Sequence, residues 1–179
     1  MKLSASQTIN ADTATVWAAL LDPDVLKACV PGCTEMSGSA TDGFEATVVQ
    51  KVGPVKATFK GAVVLSEMVK PQSLTITGEG KGGAAGFAKG GADVRLEAAG
   101  TTTILHYDVE ARVGGKLAQL GSRIIDGFAK KMADQFFDNF SDAVGEPIED
   151  ETAVDSETDN ETDGEDAAKK KNWFKRLVG

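Results

Sequence analysis

Apolar and polar residues alternate with a period of two through much of the first 115 positions, then switch to a period of three to four. Leu3, Ala5 and Ile9 sit among polar residues and predict a first strand. Asp12 is placed to cap a helix through VWAALLD. The stretch DPDVLKACVPGC then continues as a short second helix ending at Val30, because Pro31 restricts its predecessor and Gly32 permits a turn. Strand-like alternation follows for about eighty residues, with Phe44, Ala46 and Val48, then Val55 to Leu65, Leu74 and Ile76, Val94 to Ala98, and Leu105 to Ala111. Each strand has one apolar and one polar face. From Lys116, Leu117, Leu120, Ile124, Phe128, Met132, Phe136 and Phe140 recur every three or four residues, predicting one helix of some 28 residues.

The expected order is β, α, α, about six strands, and one long C-terminal helix. Consecutive strands followed by a single amphipathic helix favour an α+β fold over a parallel α/β one. This is the helix-grip arrangement, a curved antiparallel sheet wrapped around the C-terminal helix. Ala57, Gly61, Gly78, Gly80, Ala88 and Ala92 fall at inward positions. Small residues there mean a close approach of helix to sheet, relief of strain in a bent sheet, or room for a ligand. The segment GEGKGGAAGFAKGGA, residues 78–92, lacks the G-x-x-x-x-G-K-[ST] pattern and opens no helix, so a phosphate-binding loop is disfavoured. It reads as a flexible hairpin gating a cavity or as a plain bulged hairpin.

Charge divides the chain into three. Residues 1–145 hold 16 acids and 14 bases, residues 146–168 hold 11 acids and no base, and residues 169–179 hold five bases and no acid. The middle segment has the composition of a disordered linker, with a random-coil span of about 25 to 30 Å. The terminal KKKNWFKRLVG, if helical, sets Trp173, Phe174, Leu177 and Val178 on one side, bordered by Lys169, Lys170, Lys171, Lys175 and Arg176. That is a short basic amphipathic helix of the interfacial kind. It is too short to hold a helix alone in water, and an anionic membrane surface would supply the missing support. Docking on a partner protein is the competing reading. Folding back on the acidic linker would be weak, because exposed charges are screened over about 8 Å at physiological salt.

Chemistry is sparse. His106 falls beside Asp108 on the face opposite Leu105 and Tyr107, and as the single histidine it can build neither a histidine metal cluster nor a Ser/His/Asp triad. Cys29 and Cys33 are spaced C-x₃-C, which is not the C-x-x-C of redox sites, and read as small buried thiols. The acidic balance, with no basic stripe through the domain, argues against nucleic acid. Met1–Asn10 lacks an apolar run, and nothing approaches the roughly 18 to 20 apolar residues of a membrane span. A cytoplasmic protein, peripherally held at the inner face of the cell membrane, is expected.

The segments LDPDVLKACVPGC and GFAKGGADVRLEAAGTTTILHYDVEARVGGKLAQLGSRIIDGFAKKMADQFFDNF, in these positions, resemble the CoxG family, named for the G subunit of carbon monoxide dehydrogenase. This is a helix-grip group related to START and polyketide-cyclase domains (SRPBCC), and the resemblance covers residues 1–145. It implies a non-catalytic accessory of a molybdenum carbon monoxide dehydrogenase or related hydroxylase, linking the enzyme to the membrane. The wider superfamily implies an apolar cavity for a hydrophobic small molecule. Its inward candidates here are Pro31, Val48, Phe59, Ile76, Ala92, Val94, Tyr107, Ile124 and Phe128. For a respiratory accessory that ligand is a quinone, menaquinone or ubiquinone, with no covalent cofactor and no metal. Two alternatives stand beside this: an assembly or recruitment factor without ligand, and a small-molecule enzyme of the polyketide-cyclase type.

Overall fold

Asp12 starts the first helix as its sequence context predicts, accepting a hydrogen bond from the Thr15 amide at 2.8 Å. Helix α1 spans Thr13–Leu20, and α2 spans Pro23–Cys29 with Asp22 as its cap. In this computed structural model, which describes the backbone of residues 1–150 and the side chains of 1–145, the two helices lie between β1 (Lys2–Ile9) and β2 (Cys33–Ser39). Then come β3 (Gly43–Val52), β4 (Val55–Val69), β5 (Ser73–Lys81), β6 (Phe87–Ala99) and β7 (Thr102–Gly114), followed by α3 (Lys116–Gln119) and α4 (Ser122–Asp150). The element order is the expected one as far as β7.

The seven strands form one antiparallel sheet in the order β1-β7-β6-β5-β4-β3-β2. Strands β2 to β7 are a simple meander, while β1 pairs with β7, so α1 and α2 connect the two edges of the sheet. The register brings Ala5, Tyr107, Val94 and Leu74 onto one face, as it does Leu3, Val109, Ala92, Ile76 and Leu65. On the opposite face His106 meets Glu97 at 2.9 Å, where alternation placed it.

One open alternative is decided and two expectations change. The glycine-rich segment 78–92 is mostly paired strand, with Gly78 opposite Gly90 and Gly80 opposite Ala88; only the tip around the 3-10 turn Gly83–Ala85 leaves the ladder. The single C-terminal helix is two, because Gly121 at φ +90 interrupts it. Helical backbone also continues to Asp150, inside the expected linker. The chain divides into a compact unit, Met1–Val144, and a second beginning at Gly145. Residues 151–168, with the basic stub 169–179, lie outside the described residues.

Apolar side chains gather in two places. The larger cluster joins Ile9, Val16, Trp17, Leu74, Leu96 and Leu105 to Phe140 and Val144 of α4. There the Phe137 ring stacks on Tyr107 at a centroid distance of 5.0 Å, and Phe136 stacks on Phe140 at 5.7 Å. The smaller cluster joins Val52, Leu117 and Ile125, with Phe59, Val113, Leu120 and Phe128 packed on it. Polar ties lock the larger one. Thr103, fully buried, donates to the Ala11 carbonyl at 2.7 Å, and Asn139 of α4 donates to the Cys29 carbonyl at 3.0 Å, satisfying the end of α2.

Replacing Thr103 by Val leaves the Ala11 carbonyl buried without its donor and should cost about 1 to 3 kcal/mol in urea unfolding. An unchanged midpoint would mean that the bond contributes nothing. Cys29 is buried and unpaired by a disulfide, and burial, with a smaller contribution from Asp142, pushes its thiol up to about 12 from an ordinary 9.0. A raised thiol pKa favours the neutral form in the fold, so this contribution to stability is complete below the unfolded pKa near 9 and is lost as pH climbs toward 12. In native protein at pH 8, a thiol reagent should label the half-buried Cys33 first and reach Cys29 only after denaturant is added. Equal rates at the two would contradict this burial.

Candidate functional site

The two clusters engage α4 at different points along it, one at Ile125 and Phe128 and one from Ala133 to Val144. Between them the helix presents Ala129 and Met132, half-buried and part of neither cluster. The facing sheet positions are small. Gly61, Gly78, Gly80 and Gly90 share the inner face with Ala46, Ala88 and Ala111 through the register.

A Cβ built on each glycine separates the three explanations for small residues. On Gly90 it would lie 2.1 Å from the Glu110 carbonyl oxygen, so the neighbouring strand crowds this position and no side chain fits without a shift. On Gly61 and Gly78 the nearest atoms, at 3.1 to 3.2 Å, again belong to adjacent strands. On Gly80 nothing lies within 4 Å. At none of the four is an atom of α4 the nearest neighbour, so close approach of the helix does not explain them. Three of the glycines accommodate the close approach of a neighbouring strand, and Gly80 leaves space.

The nine cavity candidates divide accordingly. Val48, Phe59, Ile76, Ala92, Val94 and Tyr107 do share the inner face. Val94 and Tyr107 are buried within the larger cluster, with Ile76 packed against it, and act there as core. Phe59 and Phe128 border the strip from the smaller cluster, while Val48 and Ala92 lie half-buried, outside both. Pro31 begins the turn into β2, its carbonyl accepting from the Gln50 amide, with Gly32 at φ +77 beside the Val49 carbonyl. Ile124 is a correction. It is 40% exposed and reaches the β3–β4 turn at Gly53, whereas Ile125, 8% exposed, takes the inward position. The break at Gly121 resets the helical phase, so Leu117, Leu120 and Ile124 are not rungs of one continuous helix.

Phe137 and Met132 complete the helix side of this face. Phe137 was legible in the spacing Phe137, Phe140, Val144, which follows the i, i+3, i+7 pattern of a buried stripe. A broadly open groove of about 980 Å³ lies on the other side of the sheet, where Lys2, Ser4, Thr75, Asp93, Asp108 and Arg112 stand among Ala62, Val64, Gly90 and Gly91, so its lining is mixed and mostly apolar. Ile76 and Ala92 border it as well.

Among the described residues no group of three metal-ligating side chains is assembled. No described helix is long and apolar enough to cross a membrane.

The fold has solved counterparts. A conserved protein from Geobacillus kaustophilus superposes with a TM-score of 0.75 at 26% identity, over 80% of this chain and 95% of that one. A START superfamily protein from Mycobacterium smegmatis gives 0.61 at 12% identity, over 80% and 96%. A protein from Arthrobacter aurescens, solved by NMR, gives 0.58 at 14%, over 86% and 93%. The last two likenesses speak for the fold alone. No curated protein matches the chain significantly. The family model for the G subunit of carbon monoxide dehydrogenase (CoxG) matches residues 6–145, the whole of the strand meander and the helix that crosses it, and the chain therefore belongs to the CoxG family.

Proposed function

We propose that this protein is a non-catalytic accessory of a molybdenum carbon monoxide dehydrogenase or related hydroxylase, and that its helix-grip domain carries a lipophilic ligand, a respiratory quinone, between the membrane and that enzyme. The observation that carries the reading is the strip between the two packed clusters. It is apolar, half-buried rather than sealed, and has free space above Gly80. Protein interiors ordinarily leave few voids larger than a water molecule, and pockets for apolar ligands are lined mainly by hydrophobic and aromatic side chains. Val48, Phe59, Ala92, Phe128 and Met132 supply that lining here, with no charged group among them.

The division of labour follows from the chemistry of the chain. Phe59 and Phe128 would hold a flat, apolar head by contact, while small residues at Gly61, Gly78 and Gly80 make room for it. The acidic segment acts as a tether. The stub, with Trp173, Phe174, Leu177 and Val178 flanked by Lys169, Lys170, Lys171, Lys175 and Arg176, anchors the chain reversibly at an anionic membrane surface. The ligand leaves the bilayer, is presented at the enzyme's electron exit, and returns. Membership of a family named for a dehydrogenase component supports the choice of partner.

Organic extraction of the purified protein followed by mass spectrometry should recover a quinone at a substantial molar fraction. Gly80→Leu should lower that fraction several-fold while moving the unfolding midpoint little, because the new side chain enters open space. An empty wild-type protein, or full occupancy in Gly80→Leu, would sink the carrier reading and leave a ligand-free recruitment factor. For the anchor, the full chain should co-sediment with anionic vesicles in a salt-sensitive manner, and a chain ending at Ala168 should bind markedly less. Equal binding by the two would remove the stub from the mechanism.

A further inference from the structure

Three pairs of cations oppose one another directly across neighbouring strands: Lys51 and Lys56, Lys60 and Lys81, Lys89 and Arg112. All six are exposed and alternate with inward-facing residues, so they form a belt on the outer face of the sheet. Like charges at directly opposed positions destabilise a sheet. Glu79 offsets part of this, 3.9 Å from Lys81 and directly opposite Lys89 in the register; the other four have no ion-pair partner among the described residues. A fold that accepts this repulsion three times over is shaped by something besides its own stability.

The belt lies at one end of the domain. Lys51 and Lys56 flank the β3–β4 turn, and the other two pairs border the β5–β6 tip. Packing joins these places, because the Phe59 ring lies against Gly82 and the Ile124 side chain against Gly53. At the same end stand two large apolar side chains in the open, Phe87 at 38% and Ile124 at 40% exposure. The opposite end carries Asp12 and Asp42, Glu67 near the end of β4, a single cation in the β4–β5 turn, Lys70, and the exposed Met68 and Val69. A domain of nearly zero net charge is thus polarised along its strands.

We propose that this end of the folded domain is itself a membrane-contact surface, docking on an anionic bilayer independently of the basic stub. Cations grouped around isolated, exposed large apolar residues are the chemistry of interfacial lipid binding, where charge holds the surface and the apolar tips enter it. The smaller apolar cluster lies immediately inside this end, next to the half-buried strip. The proposal extends the carrier reading by naming the end that faces the lipid, but its test uses no ligand and can fail or succeed separately.

The experiment uses the full chain with the stub disabled (Trp173→Ala, Phe174→Ala, Lys175→Gln, Arg176→Gln) and vesicles of phosphatidylcholine with or without phosphatidylglycerol. This protein should still partition onto phosphatidylglycerol vesicles at low salt and not onto pure phosphatidylcholine. Each further Lys56→Gln, Lys60→Gln or Lys89→Gln change should weaken that binding about fivefold, the equivalent of about 1 kcal/mol per basic group near an anionic surface. Lys70→Gln and Lys27→Gln, away from the belt, should leave it unchanged. Urea midpoints of the belt variants should hold or rise, because a repulsion has been removed. Loss of all binding with the stub disabled, indifference to the belt substitutions, or midpoints that fall as binding falls would each overturn the proposal. So would a belt variant that keeps its lipid binding while losing affinity for the dehydrogenase, which would assign the surface to protein.

Discussion

Helix α4 is held to the sheet by two groups of side chains separated by about one turn. Aromatic rings do the holding from its middle onward, where Phe137 lies on Tyr107 and Phe140 is fully buried, and Ile125 does it near its start beside Val52 and Leu117. Burying a side chain of this size is worth about 1.5 to 3 kcal/mol, so each attachment is firm. Between them the helix offers Ala129 and the half-buried Met132, and the inner face of the sheet carries glycine and alanine. The candidate site is a consequence of that spanning arrangement and needs no specialised catalytic group.

Some of the small inner positions are fixed by backbone approaches that exclude a side chain. At Gly90 the adjacent Glu110 carbonyl oxygen occupies the place of a Cβ. There the strands lie too close for a side chain, whereas Gly80, equally small, contributes emptiness. Identical residue types therefore do different work on one strip, and the distinction lies in what surrounds each. The inner face of the sheet is mainly apolar, whereas the outer face mixes charged side chains with exposed apolar ones such as Val64.

Family membership and geometry constrain function in different ways. Belonging to the CoxG family points to a dehydrogenase as the molecular context. The likeness to a START superfamily protein, at 12% identity, speaks only for architecture. What the chain adds is local: an apolar, half-open inner strip, an inert buried Cys29, a surface His106 engaged with Glu97, and no metal-binding cluster among the described residues.

Much of the architecture was legible along the chain because its signals are short-range. The period-two alternation marked the faces of the strands, Asp12 and Pro31 marked element ends, and Phe128 to Phe140 marked a helix, each through neighbours within a few residues. Tyr107 was recognised as inward and His106 as outward for the same reason. The helix phase at Ile124 was not legible, since a single glycine conformation at Gly121 shifted every position before it relative to those after it. Nor could the sequence say which glycines accommodate a neighbouring strand and which leave space, or that Lys51 faces Lys56 and Lys60 faces Lys81. Those are facts of register and of distance between strands. Alternation by itself determined which side chains share a face; only the tertiary structure decided what lies opposite each, because that depends on pairing between residues far apart in the chain.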